Sequence, residues 1–592
     1  MPILKIVLKT PTKLTMDLSS KLNIQKNVEL QNLDITPTEE TQTYSPVKPY
    51  DGFGDISVKP IPSEYIVPQG TITISGNEPT NVREYEYAQV EQPIDELDLI
   101  RFYDYDGTLL YTYTRSQIEA LDELPPAPEH ERLLFQEWNW SLEDLKALER
   151  GMDVGATYTT KSGKVEVEIV LTPVTGLTFR FGSYYDVDWG DGTITTGATY
   201  HTYTKYGRYL ISIDTQGLSR SDMFKQSSSS RNKTVISVAI PSGNISSKAL
   251  EYCDNLETIV MGKDAYSSSY LLIYDNSVKA VVIPNNKNMV TIGAQMFYSC
   301  GLLRMISLPI GITRIERNGI YSMPLEKLKL PPNITTIATY GLSRLQSLKT
   351  ILFPLKCGTI YEHAFEGDIM LETIDLSSEI TKIPPYLFDT CFNLRQVYIP
   401  DTVVTIDDYS FRTGGYVLSD VNLPNSLSKV GTGAFNQTNY IPFRLPNTIK
   451  VISDNAFNSC KGITSVVIPT GVVSIGASAF SNCSNLKSFA FGDGIRIIRD
   501  SVLSYCSNLQ SIYLPNTITT INANAFNGCY SMRKYDFSQF TAIPTLADIN
   551  AFSNINTQCK IVVPDGLYDE WIVATNWATY ANYIYKASEV QE

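Results

Sequence analysis

From Ile236 to Phe537 one short pattern recurs about every 23 residues, and a period of that length leaves few folds open. A strand-like run ends in a small punctuating residue at Pro241, Gly262, Pro284, Pro309, Pro331, Pro354, Ser377, Pro400, Pro424, Pro446, Pro469, Gly492, Pro515 and Ser538. The residue just before each mark is apolar in all fourteen copies, from Ile240 through Ile399 and Ile468 to Phe537. The residue three before is apolar or aromatic, from Val238 through Ile306 and Val397 to Tyr535. Between those two lies a position that accepts anything: Ser307, Lys329, Asp375, Tyr398, Asn422, Arg444, Val467, Tyr513. Alternation of fixed apolar and free positions describes a strand with one buried face. A second apolar register runs through Phe297, Ile320, Leu342, Phe365, Phe388, Phe411, Phe435, Phe457, Phe480, Leu503 and Phe526. Two anchors per repeat predict that each repeat is one turn of a coil with an inside.

No single turn can bury its own anchors, so stability must come from stacked neighbours. Strands stack about 4.8 Å apart, so fourteen coils give a rod or arc roughly 65 Å long. A period of 20 to 29 residues with one strand per repeat describes a leucine-rich-repeat solenoid. Copies such as Thr464 to Cys483 (TSVVIPTGVVSIGASAFSNC) resemble the BspA-like leucine-rich repeats of bacterial surface antigens and of many gut bacteriophage genes. The resemblance covers about half the chain and implies a fold; solenoids carry many different surfaces, so it implies no single activity.

Composition narrows the function classes. The net charge is -14, and Glu84 to Arg150 alone holds 17 acidic against 5 basic side chains. A chain without a basic stripe is a poor partner for nucleic acid, whose phosphates demand Lys and Arg. Of nine cysteines, Cys253, Cys300, Cys391, Cys460, Cys483, Cys506 and Cys529 all stand three residues after the second anchor. That register predicts small buried hydrophobes rather than disulfides or zinc ligands, which need close Cys pairs and His support. The start, MPILKIVLKTP, has too short an apolar run for a signal peptide and no small-residue cleavage site. No stretch nears 18 apolar residues, so no membrane insertion is expected. On these grounds synthesis and retention in a reducing cytoplasm are expected.

The fold class is mainly β, with the solenoid preceded by further modules. Residues 1–95 alternate turn chemistry with β-branched runs, as in Ile66 to Ile74, and read as an extended β-rich anchoring arm ordered on a partner. The segment resembles stretches near the start of phage and prophage tail-fibre-like proteins. Residues 96–160 read as a small α+β unit. Within it, Asp104-Tyr-Asp-Gly-Thr108 matches the first motif of haloacid-dehalogenase-type phosphatases, but a second strand follows where that chemistry needs a helix. Asp106-Gly107 therefore reads as a hairpin turn. Ser116 to Leu124 reads as a short helix, and Ser141 as the N-cap of another over Leu142 to Glu149. Trp138 and Trp140 read as core of this unit.

Over 161–218, Asp186-Val-Asp-Trp-Gly-Asp-Gly-Thr193, His201-Thr-Tyr203 and Gly207 to Ile213 resemble the PKD-type immunoglobulin-like domain. The resemblance implies a β-sandwich in which Asp191, His201 and Tyr203 are structural. Residues 219–234 form a polar linker, 235–560 the solenoid, and 561–592 a helical cap with Asp565 and Asn576 as helix caps and Leu567, Trp571, Trp577, Tyr580 and Ile584 facing the last coil.

No catalytic constellation is present: the three His lie in different modules and no Gly-rich loop opens a helix. No enzyme activity, cofactor or metal is expected. The order of modules resembles proteins encoded by gut phages and prophages, which implies a virion protein, a head or tail fibre or decoration, made in the host cytoplasm. Its arm would hold other virion proteins, and its solenoid would meet a host cell-surface protein or polysaccharide. The alternative is a bacterial cell-surface adhesin of the same modules. Homo-oligomerisation stays open, since no heptad run enforces a coiled coil. The expected binding stripe is the row of free positions Lys329, Asp375, Tyr398, Arg444, Tyr513 and Asp536, whose Tyr and Arg suit sugars or protein surfaces.

Overall fold

The structure, a computed structural model, describes residues 14–17, 34–37, 71–75 and 96–590, apart from 216, 219–223, 225–231, 252, 275–276, 414–417, 419, 422 and 440–442. The chain divides into two compact units, Met1–Glu96 and Leu97–Glu592. The first holds an antiparallel sheet of β1 (Leu14–Asp17), β2 (Asp34–Pro37) and β3 (Thr71–Ser75) in the order β1-β3-β2. The rest of the expected arm, most of the expected linker and Asn422 lie outside the described residues.

The second unit is mainly β, and most of it is the coil predicted from the repeats. Most of the runs before the marks pair in parallel register one repeat apart, as Thr373–Asp375 does with Gln396–Tyr398 and Ser465–Val467 with Ser488–Ala490. A second ladder stands in each coil, at Thr336–Ile337, Thr359–Ile360, Thr405–Ile406 and Ser474–Ile475, with the isoleucines buried. To the two anchor columns and the thiol register that the sequence showed, these isoleucines add a third anchor column. The second register is fully buried, and its phenylalanines stack coil on coil: Phe388 on Phe411 at 5.4 Å between centroids, Phe411 on Phe435 at 5.0 Å, Phe435 on Phe457 at 5.4 Å.

On either side of that anchor the chain turns through left-handed residues four apart, such as Tyr386 and Thr390 (φ 56° and 61°) or Ser478 and Asn482 (56° and 60°). Non-glycine residues rarely adopt this region. Here interior N–H groups point along the axis and are met by the next coil: Tyr386, Phe388 and Thr390 donate to the carbonyls of Asp408, Ser410 and Arg412. Stacking therefore holds a backbone that one coil alone would not keep. All nine cysteines are free and buried, and the thiols of Cys391, Cys460, Cys483 and Cys506 donate to the anchor carbonyl of the preceding coil, at 3.0–3.2 Å.

The open ends of the solenoid are closed differently. At the front, β8 (Val165–Leu171), β9 (Thr178–Asp188), β10 (Ile194–Thr202) and β11 (Gly207–Ile213) do not form a separate sandwich. They lie in one sheet, order β10-β9-β11-β8-β12-β13, whose last two strands are the first repeats, β12 (Val235–Ile245) and β13 (Thr258–Ser267). Val235 to Ala239 offer a free sheet edge, and β8 pairs with it antiparallel, so the first coil is capped by continuation of its own ladder. Within this module Tyr203 donates to the Trp189 carbonyl at 3.0 Å, and His201 Nε2 lies 2.8 Å from Asp191 Oδ2 under the Trp189 ring.

At the back, Trp571, Trp577, Tyr580 and Ile584 are buried as expected. The carbonyls that an inner coil would give its neighbour go to side chains: Trp577 Nε1 to Pro544 (2.8 Å) and Asn576 Nδ2 to Leu546 (2.7 Å). Asn576 and Asp565 are not helix caps. Asn576 has φ 65° and makes no capping bond, while Asp565 accepts from the Ser588 N–H. The cap also contributes a strand, Ile584–Lys586, parallel to Lys560–Val563.

Candidate binding surface

The small unit is built of β4 (Ile100–Tyr103), β5 (Leu109–Tyr113), α1 (Arg115–Glu119), β6 (Leu133–Trp138), α2 (Leu142–Lys146) and β7 (Asp153–Thr160). The phosphatase-like motif is the β4–β5 turn: Asp104 N–H donates to the Thr108 carbonyl and Gly107 takes φ +89°. Asp104 itself is buried and paired with His130 Nε2 at 3.0 Å. Helix α1 starts one residue earlier than expected, behind a capping box of Thr114 and Gln117, and Ser141 caps α2 as expected.

This unit lies on the outer strand face of the first five coils. Ala239 and Val260 belong to its hydrophobic core, with Phe102, Ile118, Trp138 and Trp140. Gly155 crosses Val282 so closely that a Cβ would stand 2.4 Å from Cγ1. Asn139 Nδ2 donates to the Ile283 carbonyl at 2.9 Å and Trp140 Nε1 to the Leu308 carbonyl at 2.8 Å. Ser307 Oγ donates to the Asp153 carbonyl.

The first residue of the expected stripe is therefore misplaced. Lys329 is only 3% exposed; its Nζ donates to the Leu99 carbonyl at 2.6 Å and lies 3.1 Å from Asp153 Oδ1. Burial pushes its amine down and Asp153 pulls it partly back. The free positions Ala239, Val260, Val282, Ser307 and Lys329 form an internal interface.

Beyond it the face opens. Asp375 and Arg444 are exposed, Tyr398 is 61% exposed, Val467 69% and Tyr513 55%. From Asp375 to Asp536 the open row spans seven coil steps, about 34 Å. Hydroxyls flank it, Ser465 Oγ and Ser488 Oγ lying 2.7 Å apart. Asp536 is half-buried; burial alone would raise its carboxyl, but bonds from Ser538 and Lys534 hold it below the usual range. It is committed to Lys534 rather than offered outward. Nothing reactive stands near: among the described residues no His/Cys/Asp/Glu cluster has metal-binding geometry, and burial raises the Cys460 and Cys529 thiols to about 12. No helix among them is long and apolar enough to cross a membrane.

A stack of parallel coils, each with one strand-like run and a buried anchor column, defines a leucine-rich-repeat scaffold. The family model "BspA type Leucine rich repeat region" matches over residues 221–344, 313–442 and 433–560, more than half of the chain, and the protein belongs to that family. Similar solved structures include a leucine-rich repeat protein from Bacteroides ovatus (20% identity over 64% of this chain and 98% of that one, TM-score 0.42). Others are a leucine rich cell surface protein from Faecalibacterium prausnitzii (21%, 59% and 93%, 0.31) and the pneumococcal vaccine antigen PcpA (17%, 62% and 90%, 0.33). No curated protein sequence matches the chain.

Proposed function

We propose that the protein is a non-enzymatic attachment protein of the cell-surface adhesin type, which binds a surface protein or polysaccharide along the open strand face from Asp375 to Tyr513. The observation that carries this is the division of the face. Five coils are sealed by the chain's own unit with a buried ion pair and side-chain to main-chain bonds from Asn139, Trp140, Ser307 and Lys329. The following coils keep large side chains, Tyr398, Val467 and Tyr513, in solvent. A row of exposed apolar and aromatic groups on a rigid sheet is a recognition surface more often than a solvated one. Membership of the BspA-type family supports display on a bacterial surface over the virion fibre that the order of modules implied. The test is attachment of labelled full-length chain to epithelial and bacterial cells. Tyr398→Ala with Tyr513→Ala is expected to fold normally and lose most attachment; unchanged attachment moves the site off this face.

A further inference from the structure

Besides the strand face of the first coils, the small unit roofs part of the capping sheet, and a cavity of about 230 Å³ remains between the two. That is space for roughly seven waters. The floor follows from strand register. Leu210, Glu168 and Ser237 are partners across β11, β8 and β12, and Glu166 is partnered by Ala239, which pairs in turn with Val260. Tyr105 and the run His130 to Leu133 form the roof. Glu131 and Arg132 are exposed, so the cavity opens to solvent on their side.

Side chains alternate along β8, so Val165, Val167 and Ile169 enter the core while Glu166 and Glu168 point outward. On a bare sheet water would solvate both carboxylates; beneath the small unit they are provided for unequally. Glu168 lies 3.3 Å from Arg132 and 3.7 Å from Arg208. Glu166 is the more deeply placed, only 8% exposed, and has no ion pair among the described residues. Its Oε1 accepts from Ser162 Oγ at 2.7 Å, and its Oε2 has no donor among them. The cationic groups nearby are committed elsewhere, Arg132 to Glu168 and His130 to Asp104. A carboxylate taken this far out of water is stabilised by a cation that can also donate to it.

We infer that this cavity binds a short aliphatic diamine, one ammonium donating to Glu166 Oε2 and the other standing at the rim beside Glu131. The site is separate from the attachment face and does not depend on it. Among the described residues no three-group cluster could hold a metal ion, so the missing cation is an organic one. A guanidinium fork needs both oxygens of a carboxylate, and Oε1 is already taken by Ser162; a compact ammonium needs only Oε2. A neutral ligand would leave the buried charge uncompensated. Leu133, Leu210, Ala239 and Val260 give the methylene stem an apolar lining, and the exposed Glu131 supplies a second negative group where the cavity meets solvent.

The experiment is isothermal titration calorimetry of the full chain with 1,4-diaminobutane, for the parent and Glu166→Gln, and of the parent with the fully N-methylated bis-quaternary analogue. The parent is expected to bind the diamine. Glu166→Gln keeps the size of the side chain and an acceptor for Ser162 but removes the charge, and should weaken binding about tenfold or more, as loss of one charge-assisted hydrogen bond does. The quaternary analogue keeps both charges but has no N–H to donate, and should bind the parent about tenfold or more weakly. If the Gln variant fails to fold, hydrogen exchange of the parent decides: the diamine should slow exchange over 130–133 and leave the coils beyond Asp375 unchanged. A parent that does not bind the diamine, a folded Gln variant that binds it as tightly as the parent, or exchange over 130–133 that the diamine does not slow overturns the site. A quaternary analogue that binds as tightly as the diamine overturns the ammonium contact at Glu166.

Discussion

Replacing Lys329 by Met tests whether the small unit is locked onto the solenoid as described. The ammonium is wholly buried, 3.1 Å from Asp153 Oδ1, and donates to the Leu99 carbonyl at 2.6 Å. Removing one partner of a buried pair leaves the other charge uncompensated, which costs about 3–5 kcal/mol. Asp153 keeps 15% of its side chain in water, which places the cost near the lower end, about 3 kcal/mol. Changing Asp153→Leu as well replaces the pair by apolar groups and should recover most of that loss. Urea unfolding reads it out, with tryptophan emission, to which Trp138 and Trp140 of the unit contribute two of the five indoles, and far-ultraviolet circular dichroism, which is weighted to the solenoid. The Met variant should lower the fluorescence midpoint and move it ahead of the dichroism midpoint. A midpoint unchanged in the single variant, or a double variant worse than the single, refutes a docking held by this pair.

Other perturbations have equally definite outcomes. Asp368 occupies the cysteine register, fully buried, with Oδ1 accepting from the Leu345 N–H and Oδ2 without a donor; burial raises its carboxyl well above the usual range. A folded pKa above the unfolded value stabilises fully below about pH 4, and that contribution fades as pH rises through the folded value. Asp368→Asn should therefore raise the melting temperature at pH 8 more than at pH 4. Asp191 runs the other way. Burial would raise its carboxyl, but the bonds from His201 and Thr193 hold it lower, so its contribution is present above about pH 4 and is lost on further acidification. Asp191→Asn should flatten the acid limb of the melting curve. Phe411→Ala opens a hole between Phe388 and Phe435 and should cost about 3–5 kcal/mol by denaturant titration. Thiol titration of the native chain at pH 8 should be slow and reach nine groups only in denaturant.

Much of this was legible because a solenoid writes its inside periodically. The anchors before each mark, the Phe297 to Phe526 column and the thiol register are one-dimensional signals, and the structure keeps all three inside. The third column, with Ile337 and Ile360, was hidden because its strands are two residues long and their outward members vary. The left-handed turns gave no glycine signal, since the stack holds Tyr386 and Ser478 there as readily as Gly433.

The stripe was misread at Lys329 because pattern alone cannot show what covers a face. A hint lay in the free positions themselves: Ala239, Val260, Val282 and Ser307 are small, whereas Asp375, Tyr398 and Arg444 are polar or large. Trp140 was read as core; it is buried, but its indole N–H reaches the solenoid. The strands of the sandwich expected over 161–218 continue the sheet of the first coils, and this continuity was missed because strand signals do not say which edge pairs with which.

The central claim, that recognition falls on the uncovered coils, is tested most directly by hydroxyl-radical footprinting of the full chain free and bound to epithelial cells. The account predicts protection at Tyr398, Val467 and Tyr513, with Tyr184 and Tyr206, exposed at 75% and 51% on the capping sheet, unchanged. Protection at Tyr184 and Tyr206 with the solenoid tyrosines unchanged would contradict it.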